Sequence, residues 1–281
     1  MLRSSWGLLF FLLLLLAAVA LQPGPAKAKD VWQELETGLE LATEESLCEQ
    51  DKDACLGLKI LRIDPEYFQL VLLSASESGH TKYTLKGWGQ EYDLRAAINA
   101  GMFWKDLETS AGYMKNFKHV NNKTIHPEFN AFLVFNPVSS ELPAVQLIDR
   151  ANQPQWENIL QDYQSVVQSY RMISNQGQNV WEKNSKSYSV ASVGLDEQGR
   201  ILFIFSEQPR TIHDLNKTLL ELPLGIQSCI FMEGGPTAGL YLDAGSTQTS
   251  WQGSSEFSLW SNKPGSYARV PNALGIIKKK E

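Results

Sequence analysis

The sequence predicts an α+β domain with a mixed, largely antiparallel sheet core and a few packed helices. Three observations carry that prediction. Short runs rich in Val, Ile, Leu, Phe and Tyr recur along the chain, bounded by the Gly, Pro, Asn and Asp residues that punctuate strands. Few segments space their apolar residues at helical intervals, and no internal repeat, heptad or low-complexity tract appears. The 281 residues, 43% hydrophobic and 20% charged, suffice to bury one large core, so a single domain is expected.

Residues 1–28 read as a secretory signal. Arg3 precedes an apolar run from Leu8 to Leu21, and Ala18-Val19-Ala20 and Ala26-Lys27-Ala28 both offer the small-residue pattern of a cleavage site. The apolar run falls short of the roughly 20 residues that span a bilayer. Cleavage after Ala28 and a secreted or periplasmic destination, without a stable membrane span, are therefore expected. In an oxidising compartment Cys48 and Cys55 are expected to pair, whereas Cys229, inside an apolar run, reads as an inert core thiol. A net charge of -6 and the absence of any long Lys/Arg track argue against a nucleic-acid partner.

After the signal comes a lead-in segment, residues 29–55, in which Val31 to Leu47 fits either a short helix or a strand. From residue 56 onward the main domain begins. Leu58 to Ile63 and Tyr67 to Leu73, separated by Asp64-Pro65-Glu66, predict two strands paired as a hairpin. Leu85-Lys86-Gly87-Trp88-Gly89 reads as a polar loop before a short helix, and the next apolar run ends on Asn99-Ala100-Gly101. Ala111 to Lys118 is a strand or turn. Asn130 to Phe135 is a buried strand ended by Asn136-Pro137, and Pro143 to Asp149 is another strand. Between Gln153 and Tyr163, the apolar residues Trp156, Ile159, Leu160 and Tyr163 suit one helical face.

Gln168 to Ile173 leads into a turn at Asn175-Gln176-Gly177-Gln178, followed by a polar loop to Ser187. Tyr188 to Leu195 and Arg200 to Ser206 flank Asp196-Glu197-Gln198-Gly199, a hairpin signature. Thr211, with Asp214 three residues later, caps a helix carrying Ile212, Leu215, Leu219 and Leu222. A strand through Cys229 follows. The tail from Trp251 to Ile277 reads as a loop closed by a last strand, Ala273 to Ile277.

The chemistry concentrates where that Cys229 strand stops. Phe231-Met232 runs into Glu233, then Gly234-Gly235-Pro236, an arrangement that delivers a carboxylate to a rim beside a tight, amide-lined turn. Asn99, flanked by small residues at the end of another apolar run, repeats that logic, so the two strand ends are expected to share one rim. Four familiar signatures are absent: the G-x-S-x-G elbow, the phosphate loop, H-E-x-x-H and the dinucleotide fingerprint. His80, His119, His126 and His213 are scattered, with no metal-ligand spacing, and no cofactor is implied.

Asn99-Ala100-Gly101-Met102-Phe103, Asn130-Ala131-Phe132 before a strand, Gln168-Ser169, the Gly194 to Ser206 hairpin and Glu233-Gly234-Gly235 with Thr237 follow one another in a telling order. In that order and approximate spacing the chain, from about Leu56 to Ile277, resembles the phosphodiester glycosidase family. The resemblance implies hydrolysis of a sugar joined through its anomeric carbon to a phosphodiester, or of a related cell-envelope glycan. It implies Glu233 and Asn99 as catalytic residues, with Gly101, Gly234, Gly235, Thr237 and Arg171 binding substrate. Glu233 stands where the family usually has an aspartate, and Val190 where it usually has an arginine, which makes Arg171 the candidate phosphate cation. The alternative is a catalytically silent glycan-binding protein on the same fold, using aromatics such as Trp104, Trp181 or Trp251.

Overall fold

The computed structural model describes residues 31–48, 52–254 and 268–280. The expected signal peptide, and residues 255–267 of the expected tail loop, lie outside them. Among the described residues the strands form three sheets, of seven, five and five strands, and every pairing between those strands is antiparallel. The chain is thus more β-dominated than a balanced α+β fold, with a few short helices packed on the sheets.

The seven-stranded sheet orders its strands Gln33–Glu36, Leu39–Thr43, Leu58–Ile63, Ile201–Arg210, Tyr188–Asp196, Ile226–Gly234 and Arg171–Ile173. One five-stranded sheet orders Thr247–Gln252, Gly239–Ala244, Ala96–Asn99, Asn272–Lys278 and Phe68–Ser74. The other orders His119–Asn122, Met114–Asn116, Tyr163–Ser169, Ala131–Pro137 and Val145–Asp149. The alternation of strand side chains explains how the three fit together. Leu61, Phe203 and Ile230 of the first sheet, Ile98, Leu240 and Leu274 of the second, and Leu133 and Val167 of the third converge on one central core. Their neighbours on the opposite faces bury against helices. Leu202 and Ile204 meet Leu215 and Leu219 of the helix Ile212–Glu221; Ala97 and Tyr241 meet Leu85 and Trp88; Phe132 meets Trp156.

The Tyr188–Asp196 to Ile201–Arg210 hairpin forms as expected, with Leu195 opposite Ile201 and Gly199 at φ +77° in its turn. Thr211 caps its helix as read: its Oγ1 accepts the Asp214 amide at 3.1 Å. Val31 to Leu47, left open between helix and strand, makes a strand pair and one helical turn. The Cys48–Cys55 disulfide is present, and Cys229 is buried, its thiol pushed up to about 12 by desolvation.

Four expectations need correction. Leu58–Ile63 and Phe68–Ser74 do not pair with each other; they lie in different sheets, beside Ile201–Arg210 and Asn272–Lys278. Asp64-Pro65-Glu66 is a corner rather than a hairpin, because Leu61 and Ile63 enter the central core from one sheet while Phe68, Leu70 and Leu72 enter it from another. Leu85-Lys86-Gly87-Trp88-Gly89 is not a loop but most of the helix Leu85–Glu91. Thr84 caps it by accepting the Gly87 amide at 2.9 Å, and a Cβ on Gly89 would sit 2.0 Å from the Tyr241 ring, so packing overrides the poor helix propensity of glycine there. The predicted helix Gln153 to Tyr163 is shorter, Trp156–Gln161, with Tyr163 opening a strand. Trp251 lies in the strand Thr247–Gln252, opposite Leu240, instead of in a loop.

Candidate active site

The strand Ile226–Gly234 carries apolar residues as far as Met232, and its pairing with Tyr188–Asp196 is irregular at that point. Ala191 faces Glu233 and Ser192 faces Phe231, so Met232 is an extra residue in the ladder. Such a bulge bends a strand and re-aims the side chains beside it. Beyond Gly234 the chain leaves the seven-stranded sheet, makes a single turn over Gly235–Thr237, and enters the next sheet at Gly239. Glu233 therefore stands at the seam between two sheets.

Asn99, at the end of Ala96–Asn99 and 1% exposed, holds that crossing in place. Its Nδ2 donates to the Thr237 carbonyl at 2.9 Å and its Oδ1 accepts the Gly239 amide at 2.9 Å. Gln252 Nε2 adds a 2.7 Å bond to the Pro236 carbonyl. The turn itself needs its glycines for different reasons. Gly235 has φ +70°, a left-handed conformation that side chains resist. Gly234 is extended, but a Cβ there would lie 2.8 Å from the ring of Tyr188.

A hollow of about 460 Å³ opens onto this turn. Glu233, Gly234 and Gly235 line it together with Met102, Tyr170, Trp181, Tyr188 and Phe231, while Asn184 and Lys186 contribute a polar edge. The rings form a continuous wall: Tyr170 to Trp181 at 5.6 Å, Trp181 to Phe231 at 6.0 Å, and Phe231 to Tyr188 at 6.4 Å. In these surroundings desolvation pushes the Glu233 carboxyl up to about 7, against the Gly234 N–H, which donates to its Oε1 at 2.9 Å, and the Thr237 hydroxyl. Burial likewise raises the Tyr188 phenol, helped by the Glu233 charge nearby. A carboxyl that exchanges its proton near neutrality, beneath flat apolar walls, is equipped for acid/base work or for steadying positive charge on a bound sugar.

Among the predicted site residues, Glu233, Gly234 and Gly235 line the hollow directly. Thr237 and Asn99 sit behind it, in the bonds that fix the turn. Gly101, buried with φ +80°, makes the bend that precedes the hollow-lining Met102. Arg171 lines a neighbouring hollow of about 510 Å³ that shares Tyr170, Trp181 and Asn184, and its Nη1 is paired at 2.5 Å with the buried Asp149. Val190 is fully buried opposite Gly234. Of the three aromatics considered for glycans, Trp181 lines the hollow, Trp104 is exposed without lining it, and Trp251 packs against the central core. Sequence reasoning missed Met102, Tyr170, Tyr188, Asn184 and Lys186. The only local signal was a tryptophan among polar residues at Trp181.

Residues 92–277 match the model of the family described as phosphodiester glycosidase. In structure the chain is similar to the zebrafish N-acetylglucosamine-1-phosphodiester alpha-N-acetylglucosaminidase catalytic domain auto-inhibited by pro-peptide, with a TM-score of 0.56 and 12% identity over 79% of this chain and 77% of that one. It is also similar to a hypothetical protein from Synechocystis, with a TM-score of 0.54 and 14% identity over 88% of this chain and 61% of that one. At such identities the likeness is one of fold. No curated protein matches the chain in sequence.

Proposed function

The chain belongs to the phosphodiester glycosidase family, and we propose that it is an exported hydrolase that releases a sugar from a glycosyl phosphodiester or a related cell-envelope glycan. The observation that carries this reading is Glu233: a carboxyl poised near pH 7 at the base of an aromatic-walled hollow. Flat apolar walls suit the faces of a pyranose ring, and Glu233 lines the same hollow as those walls.

The chemistry asks little else of the protein. A phosphate ester leaves as a stable anion, so the departing oxygen needs no strong acid, unlike the leaving group of an ordinary glycoside. Water adds to the anomeric carbon as the bond from that carbon to the phosphodiester oxygen breaks. The phosphate monoester departs with the bonding electrons, and the proton lost by water passes to Glu233. Ionised Glu233 is thus the general base and also steadies the positive charge that develops on the sugar. Asn99 acts as a positioning residue through Thr237 and Gly239, while Gly234 and Gly235 keep the turn open to substrate. Gly101 and Thr237 shape the backbone beside the hollow, and Arg171, held by Asp149 in the neighbouring hollow, does not meet the reacting bond.

The Cys48–Cys55 disulfide supports an oxidising destination outside the cytoplasm. With it go a leader over residues 1–28, a lead-in over 29–55 and a catalytic region over 56–281. No helix among the described residues is long and apolar enough to cross a membrane.

A second reading is favoured by the same aromatic wall: a glycan-binding protein without turnover. Sugar release from a methyl hexosyl phosphodiester, followed by chromatography, separates the two. The hydrolase reading expects release by the native protein and at least a 100-fold loss in Glu233→Gln. Calorimetric binding of the sugar with no release by either protein establishes the silent reading instead.

A further inference from the structure

Resting on the glycosidase reading, we propose that Lys186 contacts the phosphoryl group of the substrate and so sets the affinity of the Glu233 hollow for it.

Among the described residues that line the Glu233 hollow, Lys186 is the one cation. Arg171 is already bound to Asp149, and Arg210 spends its guanidinium on the carbonyls of Ala54 and Leu56 at 2.8 Å each. Lys186 forms no ion pair with a described carboxylate, is exposed, and lines the same hollow as Glu233. Its backbone is held by the segment it belongs to: its N–H donates to Asn184 Oδ1 at 3.0 Å, while Asn184 Nδ2 donates to the Glu182 carbonyl at 3.2 Å. A short Asx turn of this kind fixes where the lysine stem starts.

The neighbouring hollow, across the Tyr170–Trp181 wall, is the more acidic of the two: Glu128 and Glu182 are among its described lining residues, and Arg171, the one cation among them, is paired with Asp149. A phosphodiester monoanion is therefore better placed at the Lys186 edge. With the sugar ring between Trp181 and Tyr188, the phosphoryl group faces Lys186 at the open rim and the anomeric carbon faces Glu233 at the base. Lysine suits that place as a mobile point charge that follows phosphate as it leaves.

The test uses Glu233→Gln protein, which holds ligand without consuming it, titrated calorimetrically with a methyl hexosyl phosphodiester and with the corresponding uncharged methyl hexoside. Adding Lys186→Met is expected to weaken the phosphodiester about tenfold or more and to leave the uncharged sugar unchanged, and Lys186→Arg is expected to restore most of the difference. Equal losses for both ligands, no loss for either, or failure of both to bind overturns the role of Lys186. Sugar release by the native protein is read separately and decides the hydrolase reading whatever Lys186 does.

Discussion

The side chain of Asn99 grips both ends of the turn that follows Glu233, donating to the Thr237 carbonyl and accepting from the Gly239 amide, each at 2.9 Å. A residue from one sheet thereby fixes the geometry of a carboxyl delivered by another. Asn99→Ala leaves two backbone groups without partners in a buried setting and is expected to destabilise by about 3 kcal/mol. Asn99→Asp keeps the acceptor but loses the donor to Thr237. Denaturant melts should show both variants less stable than the native protein, with sugar-release rates falling in both and the midpoint of the pH profile unmoved in Asn99→Ala, which adds no charge.

Gly234 and Gly235 should respond differently to the same substitution. In Gly234→Ala the new methyl meets the Tyr188 ring, so the wall of the hollow must shift, with an expected loss of roughly 1–3 kcal/mol and a raised KM. In Gly235→Ala nothing stands in the way of the methyl, and the loss comes from the left-handed backbone alone, about 1 kcal/mol. Tyr188→Ala should rescue the fold of the first variant and not that of the second, a contrast that thermal melts can read.

Glu233 makes stability depend on pH in a stated direction. An unfolded glutamate ionises near its ordinary value of 4.5, whereas folded Glu233 keeps its proton to about 7. Between those values the folded state binds more protons, so stability falls as pH rises through the window and levels off above it, by up to about 3 kcal/mol. Glu233→Gln should flatten that slope and be the more stable protein at pH 8. Urea titrations of both proteins at pH 5 and pH 8 check the sign.

The disulfide joins Cys48 to Cys55, seven positions apart, and closes only a short loop. In the chain-entropy account such a loop contributes about 2 kcal/mol. The double variant Cys48→Ser, Cys55→Ser should therefore unfold at lower denaturant while retaining sugar release, because neither cysteine lines the Glu233 hollow. Loss of activity in the folded variant would tie the lead-in segment to the site.

What the sequence disclosed and what it hid divide along a physical line. Local codes were legible: the Asp196 to Gly199 turn, the Thr211 cap and the abrupt stop of an apolar run at Glu233-Gly234-Gly235 each state their structure within a few residues. Asn99 was legible as the end of a second run, although its bonds to Thr237 and Gly239 span a separation of some 140 positions in the chain. Partner choice between distant strands was not legible. Nothing near Asp64-Pro65-Glu66 announces that the strands on either side enter different sheets, and nothing near Gly89 announces the Tyr241 ring that makes glycine fit a helix. For the same reason the walls of the hollow, drawn from Met102, Tyr170, Trp181, Tyr188 and Phe231, became visible only once the sheets were assembled.

The central claim, that Glu233 is the working base of a phosphodiester glycosidase, is tested most directly by the pH dependence of kcat/KM for a methyl hexosyl phosphodiester. The account predicts a rate that rises with pH to a plateau, with a midpoint near 7, and a rising limb that disappears with the activity in Glu233→Gln. A Glu233→Gln protein that releases sugar at the native rate, with the limb intact, would contradict it.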